Sequence, residues 1–209
     1  MNTTKVPAAI LVAAVVTALW SYAVAVSAAP KAKVAEKEAQ EDEAADKADN
    51  LVRNPGFEDG KDSPAEWEQG ADVEGVEYSW DKESGQTGKA SLCLHKTANR
   101  YFPIAQWSQV VERKGEGKTL ELSAQVKAEK AAKAIIDVIF LDKDDEAISH
   151  EWAAYIGAKG AKDPPANHDW KKYQGKVKIP PKTAKIQVAL QIYGPGKVWF
   201  DEVRAAYPK

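Results

Sequence analysis

Residues 185–204 read KIQVALQIYGPGKVWFDEVR, and the rest of the chain is organised around their periodicity. Ile186, Val188, Leu190 and Ile192 alternate with Gln187, Ala189, Gln191 and Tyr193, the pattern of a strand with one apolar and one wetter face. Gly194-Pro195-Gly196 breaks the run as a turn, and Val198-Trp199-Phe200 begins a second strand, so the stretch predicts a closing hairpin. Its wetter face carries amide and phenol groups where a merely solvated sheet carries Lys and Glu. Its second strand runs into Asp201, expected as a carboxylate at a buried edge.

The same period recurs upstream. Glu77–Trp80, Ala90–His95, Ile104–Val111, Thr119–Ala128, Ala134–Leu141 and Lys172–Ile179 read as further strands. Turn clusters separate them at Lys82–Gly85, Lys114–Gly117, Asp142–Asp145 and Ile179–Pro181. Many short strands without an amphipathic helix predict an all-β antiparallel sandwich over residues 51–209. Between Ser149 and Trp170 the pattern is too irregular for a strand pair, so a long functional loop is expected there, one that either opens or plugs a groove.

Ahead of that domain, residues 1–29 hold one Lys, an apolar run from Val6 to Val26 and small residues through Ala29. This is the pattern of a secretory signal cleaved after Ala28 or Ala29, or of an N-terminal helix kept as a membrane anchor through residues 6–26. Either way the chain is expected to be exported, as a secreted or periplasmic protein. Residues 30–50 form a charged linker rich in Ala, Lys and Glu with no apolar stripe, which predicts a solvated tether. With 29 basic and 31 acidic residues the net charge is −2, so no basic field exists to gather nucleic acid. The single Cys93, between Leu92 and Leu94, reads as a small buried group.

Four landmarks occur in order along the domain. Asn50–Gly60, containing Asn54-Pro55-Gly56-Phe57-Glu58, precedes Trp67; Ser84–Leu92 and Asp169–Tyr173 follow; Val198–Val203 closes the series. Together they resemble carbohydrate-binding modules of the family 4/9 and 22 types, which are galactose-binding-like jelly rolls. The resemblance implies a structural calcium held by Glu58 and Asp201, with carbonyls from the Lys82–Lys89 loop completing the set. The residues allow this independently, because two acids meeting near opposite ends of the chain call for a hard cation with oxygen ligands. The other reading is two solvated acids, or one paired with Arg53 or Lys89.

A sugar site needs an aromatic platform beside hydrogen-bonding side chains. On a concave sheet face the candidates are Trp107, Gln109, Gln125, Gln187, Gln191 and Tyr193, with Trp152 and Tyr155 as a wall. Trp107 is equally readable as core, since Val111 shares its face, and Asp137 as a hydroxyl acceptor or a solvated acid. Trp67, Trp170 and Trp199 are expected to pack. Little supports catalysis: His95, His150 and His168 lack metal-trio spacing and no nucleophile elbow occurs. The expectation is a non-catalytic module holding a polysaccharide or surface glycan. The alternative is a cell-envelope structural or protein-interaction domain on the same fold, with an envelope protein as partner.

Overall fold

Alternation of apolar and polar side chains gives each strand one face to bury, and the computed structural model satisfies this with two packed sheets. It describes residues 49–114, 118–160 and 162–208. The strands are β1 (Glu68–Gln69), β2 (Val76–Asp81), β3 (Ser91–Lys96), β4 (Ala105–Glu112), β5 (Thr119–Ala131), β6 (Lys133–Leu141), β7 (Ala147–Gly157), β8 (Ala166–Lys178), β9 (Lys185–Ile192) and β10 (Gly196–Ala206). The first sheet runs β1-β4-β9-β6-β7 and the second β2-β3-β10-β5-β8, with antiparallel pairing throughout. This is the antiparallel sandwich the periodicity predicts. The expected signal or anchor and nearly all of the linker lie outside the described residues.

Between the sheets, Ile186, Val188, Leu190 and Ile192 of β9 meet Val198, Phe200 and Val203 of β10 and Leu120, Leu122 and Val126 of β5 in one apolar core. Each fully buried side chain of this kind contributes roughly 1.5–3 kcal/mol. Phe57 lies inside this core, edge-on to Trp67 at 5.1 Å between ring centres.

Three expectations are corrected. The stretch at 185–204 is not a hairpin: β9 is central in the first sheet, between β4 and β6, while β10 is central in the second, between β3 and β5. Gly194-Pro195-Gly196 is therefore a corner where the chain changes sheets. It rests on a second such corner at Ala132, between β5 and β6, through Ala132 N–H to the Pro195 carbonyl and Tyr193 N–H to the Lys133 carbonyl, at 2.8 and 2.9 Å. Gly196 sits here with φ of 124°, and a side chain there would collide with the backbone of Ala131. Asp201 consequently lies in a central strand, fully buried, and not at an edge.

The Ser149–Trp170 stretch is mostly strand. β7 and the start of β8 occupy it, and among the described residues no long loop plugs the face. β7 hid its period because a bulge at Ala153 sets two residues of β7 against one of β6, and the first half of β8 because it belongs to a polar edge strand.

Candidate functional site

The residues of β9 that point away from the core share the outer face of the first sheet with their partners on β4, β6 and β7. Gln191 stands opposite Gln106 of β4 and Ile135 of β6; Ala189 stands opposite Ser108 and Asp137; Asp137 in turn faces Trp152 of β7, and Ile135 faces Tyr155. From Gln187 to Tyr193 the face spans about 20 Å at roughly 3.3 Å per residue.

Its floor is an amide and carboxylate network. Gln191 Nε2 donates to Gln106 Oε1 at 2.9 Å and to Asp137 Oδ2 at 3.2 Å, while Gln187 Nε2 donates to Ser108 Oγ at 3.0 Å. His150 Nδ1 lies 3.4 Å from Asp137 Oδ1. Burial pushes the Asp137 carboxyl above its ordinary pKa, against the lowering effect of His150 and of its hydrogen bonds. Gln191 is only 4 % exposed, and its Oε1 has no partner among the described residues. A buried acceptor of that kind costs about 1–3 kcal/mol until a donor meets it.

One end of this floor is aromatic. Trp152 is 45 % exposed and stands 5.9 Å from Tyr193 and 6.3 Å from Tyr155 between ring centres. Phe102, 67 % exposed, stands edge-on to Tyr193 at 6.1 Å. The loop that carries it is pinned from beneath: the buried Lys96 ammonium donates to the Pro103 carbonyl at 2.6 Å and to that of Tyr101 at 3.4 Å. Lys133 Nζ lies 3.9 Å from the ring centre of Trp152 and 4.3 Å from that of Tyr193. At the other end Gln187 and Ser108 border a cleft of about 360 Å³ shared with Arg53 and Trp67.

Gln187, Gln191, Tyr193, Trp152 and Tyr155 thus share one face. Trp107 and Gln109 do not: they share a face with each other, but it is the core face. Trp107 is 5 % exposed and packs edge-on to Tyr78 at 6.0 Å, and Gln109 is consumed by the Arg53 backbone, accepting its N–H and donating to its carbonyl at 2.8 Å each. Gln125 lies on β5, in the opposite sheet. Sequence reasoning missed Gln106, Ser108, Phe102 and Lys133. The parity of Val111 with Trp107 was the signal that would have turned Gln106 and Ser108 outward. Of the Trp residues expected to pack, Trp67 lies in the core, Trp199 is buried on the outer face of the second sheet under Lys127 and Lys197, and Trp170 is half-buried.

A larger depression, about 600 Å³, lies over the second sheet between Glu121, Lys172, Gln174, Lys176, Arg204 and Tyr207. Tyr207 is its one ring, so it offers a poorer sugar platform than the first sheet despite its size. Asp137 and His150 form an acid–base pair on the aromatic face, yet the sealed carboxylate is poorly placed to reach a glycosidic oxygen.

Glu58 and Asp201 come to one loop. Glu58 Oε1 accepts the N–H groups of Lys89 and Ala90, both at 2.8 Å; Asp201 Oδ2 accepts those of Gln86 and Thr87 at 2.6 and 3.1 Å, and its Oδ1 accepts that of Glu202 at 2.7 Å. Gly88 (φ 63°) and Gly56 leave backbone space beside the carboxylates: a Cβ on Gly88 would run into Glu58, and one on Gly56 would lie 3.1 Å from Glu202 Oε1 and 3.6 Å from Asp201 Oδ1. Hard oxygen donors in a glycine cradle suit calcium in kind. The loop turns N–H groups to these carboxylate oxygens, however, where carbonyls were expected. Among the described residues no trio of His, Cys, Asp or Glu converges to hold a metal, so an ion here would rest on Glu58 and Asp201 plus carbonyls and water. Burial, with a smaller contribution from the Glu202 charge, pushes the Asp201 carboxyl up to about 6, although three N–H bonds oppose the rise.

No family model matches the sequence, and no curated protein matches it. Among solved structures, the N-terminal endo-1,4-beta-D-xylanase 10B of Clostridium thermocellum, its family 22 carbohydrate-binding module and GH10 module complexed with xylohexaose, matches 77 % of this chain at 16 % identity and a TM-score of 0.55; this chain spans 29 % of it. The C-terminal family 22 carbohydrate-binding module of the same xylanase matches 77 % at 13 % identity and a TM-score of 0.53, with 94 % of that module covered. The enzymatically active domain of tailspike protein 4 of bacteriophage CBA120 matches 77 % at 17 % identity and a TM-score of 0.52, and this chain spans 22 % of its length. The described domain therefore has the jelly-roll sandwich of carbohydrate-binding modules.

Proposed function

We propose that this domain is a non-catalytic module that holds a polysaccharide or surface glycan across the outer face of its first sheet. Trp152 carries the proposal: a half-exposed indole on a strand, braced by Tyr155 and Tyr193 and set beside the Gln106–Gln191–Asp137 network. Such an arrangement offers a C–H-stacking surface and hydroxyl partners on one rigid support. Gln187 and Ser108 extend it toward the cleft beside Arg53. The fold supports the same reading, since two of its structural likenesses are carbohydrate-binding modules. The apolar run at residues 6–26 supports export, with or without retention as an anchor. Calorimetric titration with a panel of soluble neutral and acidic glycans tests the reading, and no binding across the panel sinks it.

Calcium belongs to the proposal as a structural ion at Glu58 and Asp201. The oxygen donors and the space at Gly56 and Gly88 support it, and the ion would add stability without chemistry.

One observation favours the envelope-interaction reading. Phe102, Tyr101 and Val110 are exposed on or beside the same face, which suits an apolar protein partner. Binding of no glycan, together with saturable capture of a defined envelope protein that Phe102→Ser abolishes, would establish that reading in place of the first.

A further inference from the structure

Lys133 opens β6 at the point where the chain has just crossed between sheets, and that crossing fixes its surroundings. Its carbonyl accepts the N–H groups of Tyr193 and Gly194 at 2.9 and 3.2 Å, where the chain crosses back. The side chain is thereby brought among rings of β7 and of the residue just after β9: the ammonium lies 3.9 Å from the ring centre of Trp152, 4.3 Å from that of Tyr193 and 5.6 Å from that of Tyr155. Aromatic faces attract a cation through their quadrupoles but leave its charge unneutralised.

Among the described residues, no carboxylate, carbonyl or hydroxyl stands within hydrogen-bond or ion-pair reach of this ammonium. The acid on the same face of β6, Asp137, is engaged by Gln191 and His150. Burial lowers the Lys133 pKa with no charged neighbour contributing, as an ammonium without a counter-ion behaves. Lys185, by contrast, is paired with Asp145 at 2.7 Å. A cation stripped of part of its water and held in place by rings attracts an anion more strongly than a free surface lysine does. The ring beside it is Trp152, the surface on which a sugar would stack.

We propose that the glycan taken by this face is anionic, with Lys133 receiving the acidic group of a sugar unit that stacks beside Trp152. The inference rests on the glycan-binding reading above and narrows it to acidic polysaccharides. A neutral sugar offers Lys133 hydroxyl oxygens alone, whereas a carboxylate or sulfate supplies the missing counter-charge. Selectivity for charge follows from one side chain, and the stacking surface and amide floor serve either kind of sugar.

The test is calorimetric titration of the chain with polygalacturonate, dextran sulfate, neutral xylan and neutral galactan, each at low and high salt, for the native protein, Lys133→Gln and Lys133→Arg. At least one anionic polymer binds about fivefold or more tightly than either neutral one, the size of effect given by one partly desolvated charge pair. That preference shrinks at high salt, falls to a ratio of about one in Lys133→Gln, and is kept in Lys133→Arg. The two anionic polymers tell carboxylate from sulfate. Neutral polymers binding as tightly as both anionic ones, or an undiminished preference in Lys133→Gln with a native circular dichroism spectrum, overturns the proposal and leaves the glycan-binding reading standing. Absence of binding to all four polymers overturns both.

Discussion

Glu58 and Asp201 grip the two halves of one loop, Glu58 taking the N–H groups of Lys89 and Ala90 and Asp201 those of Gln86 and Thr87. The segment before β1 is thereby joined to β10. The closure is reinforced where Leu51 N–H donates to the Ala205 carbonyl at 2.8 Å and Val203 N–H to that of Pro55 at 3.0 Å.

The clamp makes stability depend on pH in a stated direction. The folded Asp201 carboxyl is raised from 3.8 to about 6, so the folded state holds its proton more tightly than the unfolded chain does. Its contribution is full below about pH 4 and is lost as pH rises through about 6, at most about 3 kcal/mol given roughly 1.4 kcal/mol per pKa unit. Asp201→Asn should remove that slope, and it should cost about 1–3 kcal/mol below pH 4, because an amide N–H₂ would face backbone N–H groups. Urea melts of both proteins in chelator from pH 4 to 7 check this; parallel pH profiles would refute it.

Calcium acts against the same loss, since it binds the ionised carboxylates. An ion at about a hundred times its dissociation constant adds about 2.7 kcal/mol, which raises the melting temperature by roughly 5–10 °C in a domain of this size. Differential scanning calorimetry with calcium and with chelator measures it. Equal melting temperatures would remove the ion from the proposed function.

Gly88 has no room for a side chain, because its φ of 63° favours glycine and an added Cβ would meet the Glu58 carboxylate. Gly88→Ala is expected to lower stability by about 1–3 kcal/mol through backbone strain and loss of the Glu58 bonds. A change below about 0.5 kcal/mol in a urea melt would show that Glu58 does not hold the loop.

The two faces of the first sheet separate binding from folding. Trp152→Ala should weaken glycan binding at least tenfold, about 1.4 kcal/mol, while leaving the melting temperature nearly unchanged. Trp107→Ala should cost about 3–5 kcal/mol of stability as a buried ring is lost, and Gln125→Ala on the opposite sheet should alter neither. Titration and thermal melts of the three variants are the check, and weakened binding in Gln125→Ala would move the site to the second sheet.

Eight of the ten strands were legible because period two declares which residues of a strand share a face. Pairing was not: alternation is the same whether a strand pairs with its neighbour or leaves for another sheet, so β9 and β10 read as a hairpin. Gln109 misled because an amide looks wet until a partner is found, and its partner is the backbone of Arg53. Trp152, Tyr155, Gln187, Gln191 and Tyr193 were legible as members of one face. Lys133 was not, since its ring neighbours come from β7 and from beyond β9, and nothing local to residue 133 announces them.

The last two strands made are the middles of both sheets, β9 between β4 and β6 and β10 between β3 and β5. When synthesis has reached Ala184, β4 has no partner on the side of β6, and β3 none on the side of β5. Without β9 and β10 each sheet is two separate pieces, β1-β4 and β6-β7 in the first and β2-β3 and β5-β8 in the second, so neither layer closes before its own middle strand is in place. Removing the last dozen residues takes most of β10 away and parts β2-β3 from β5-β8, which opens the second layer alone while the first keeps all five strands.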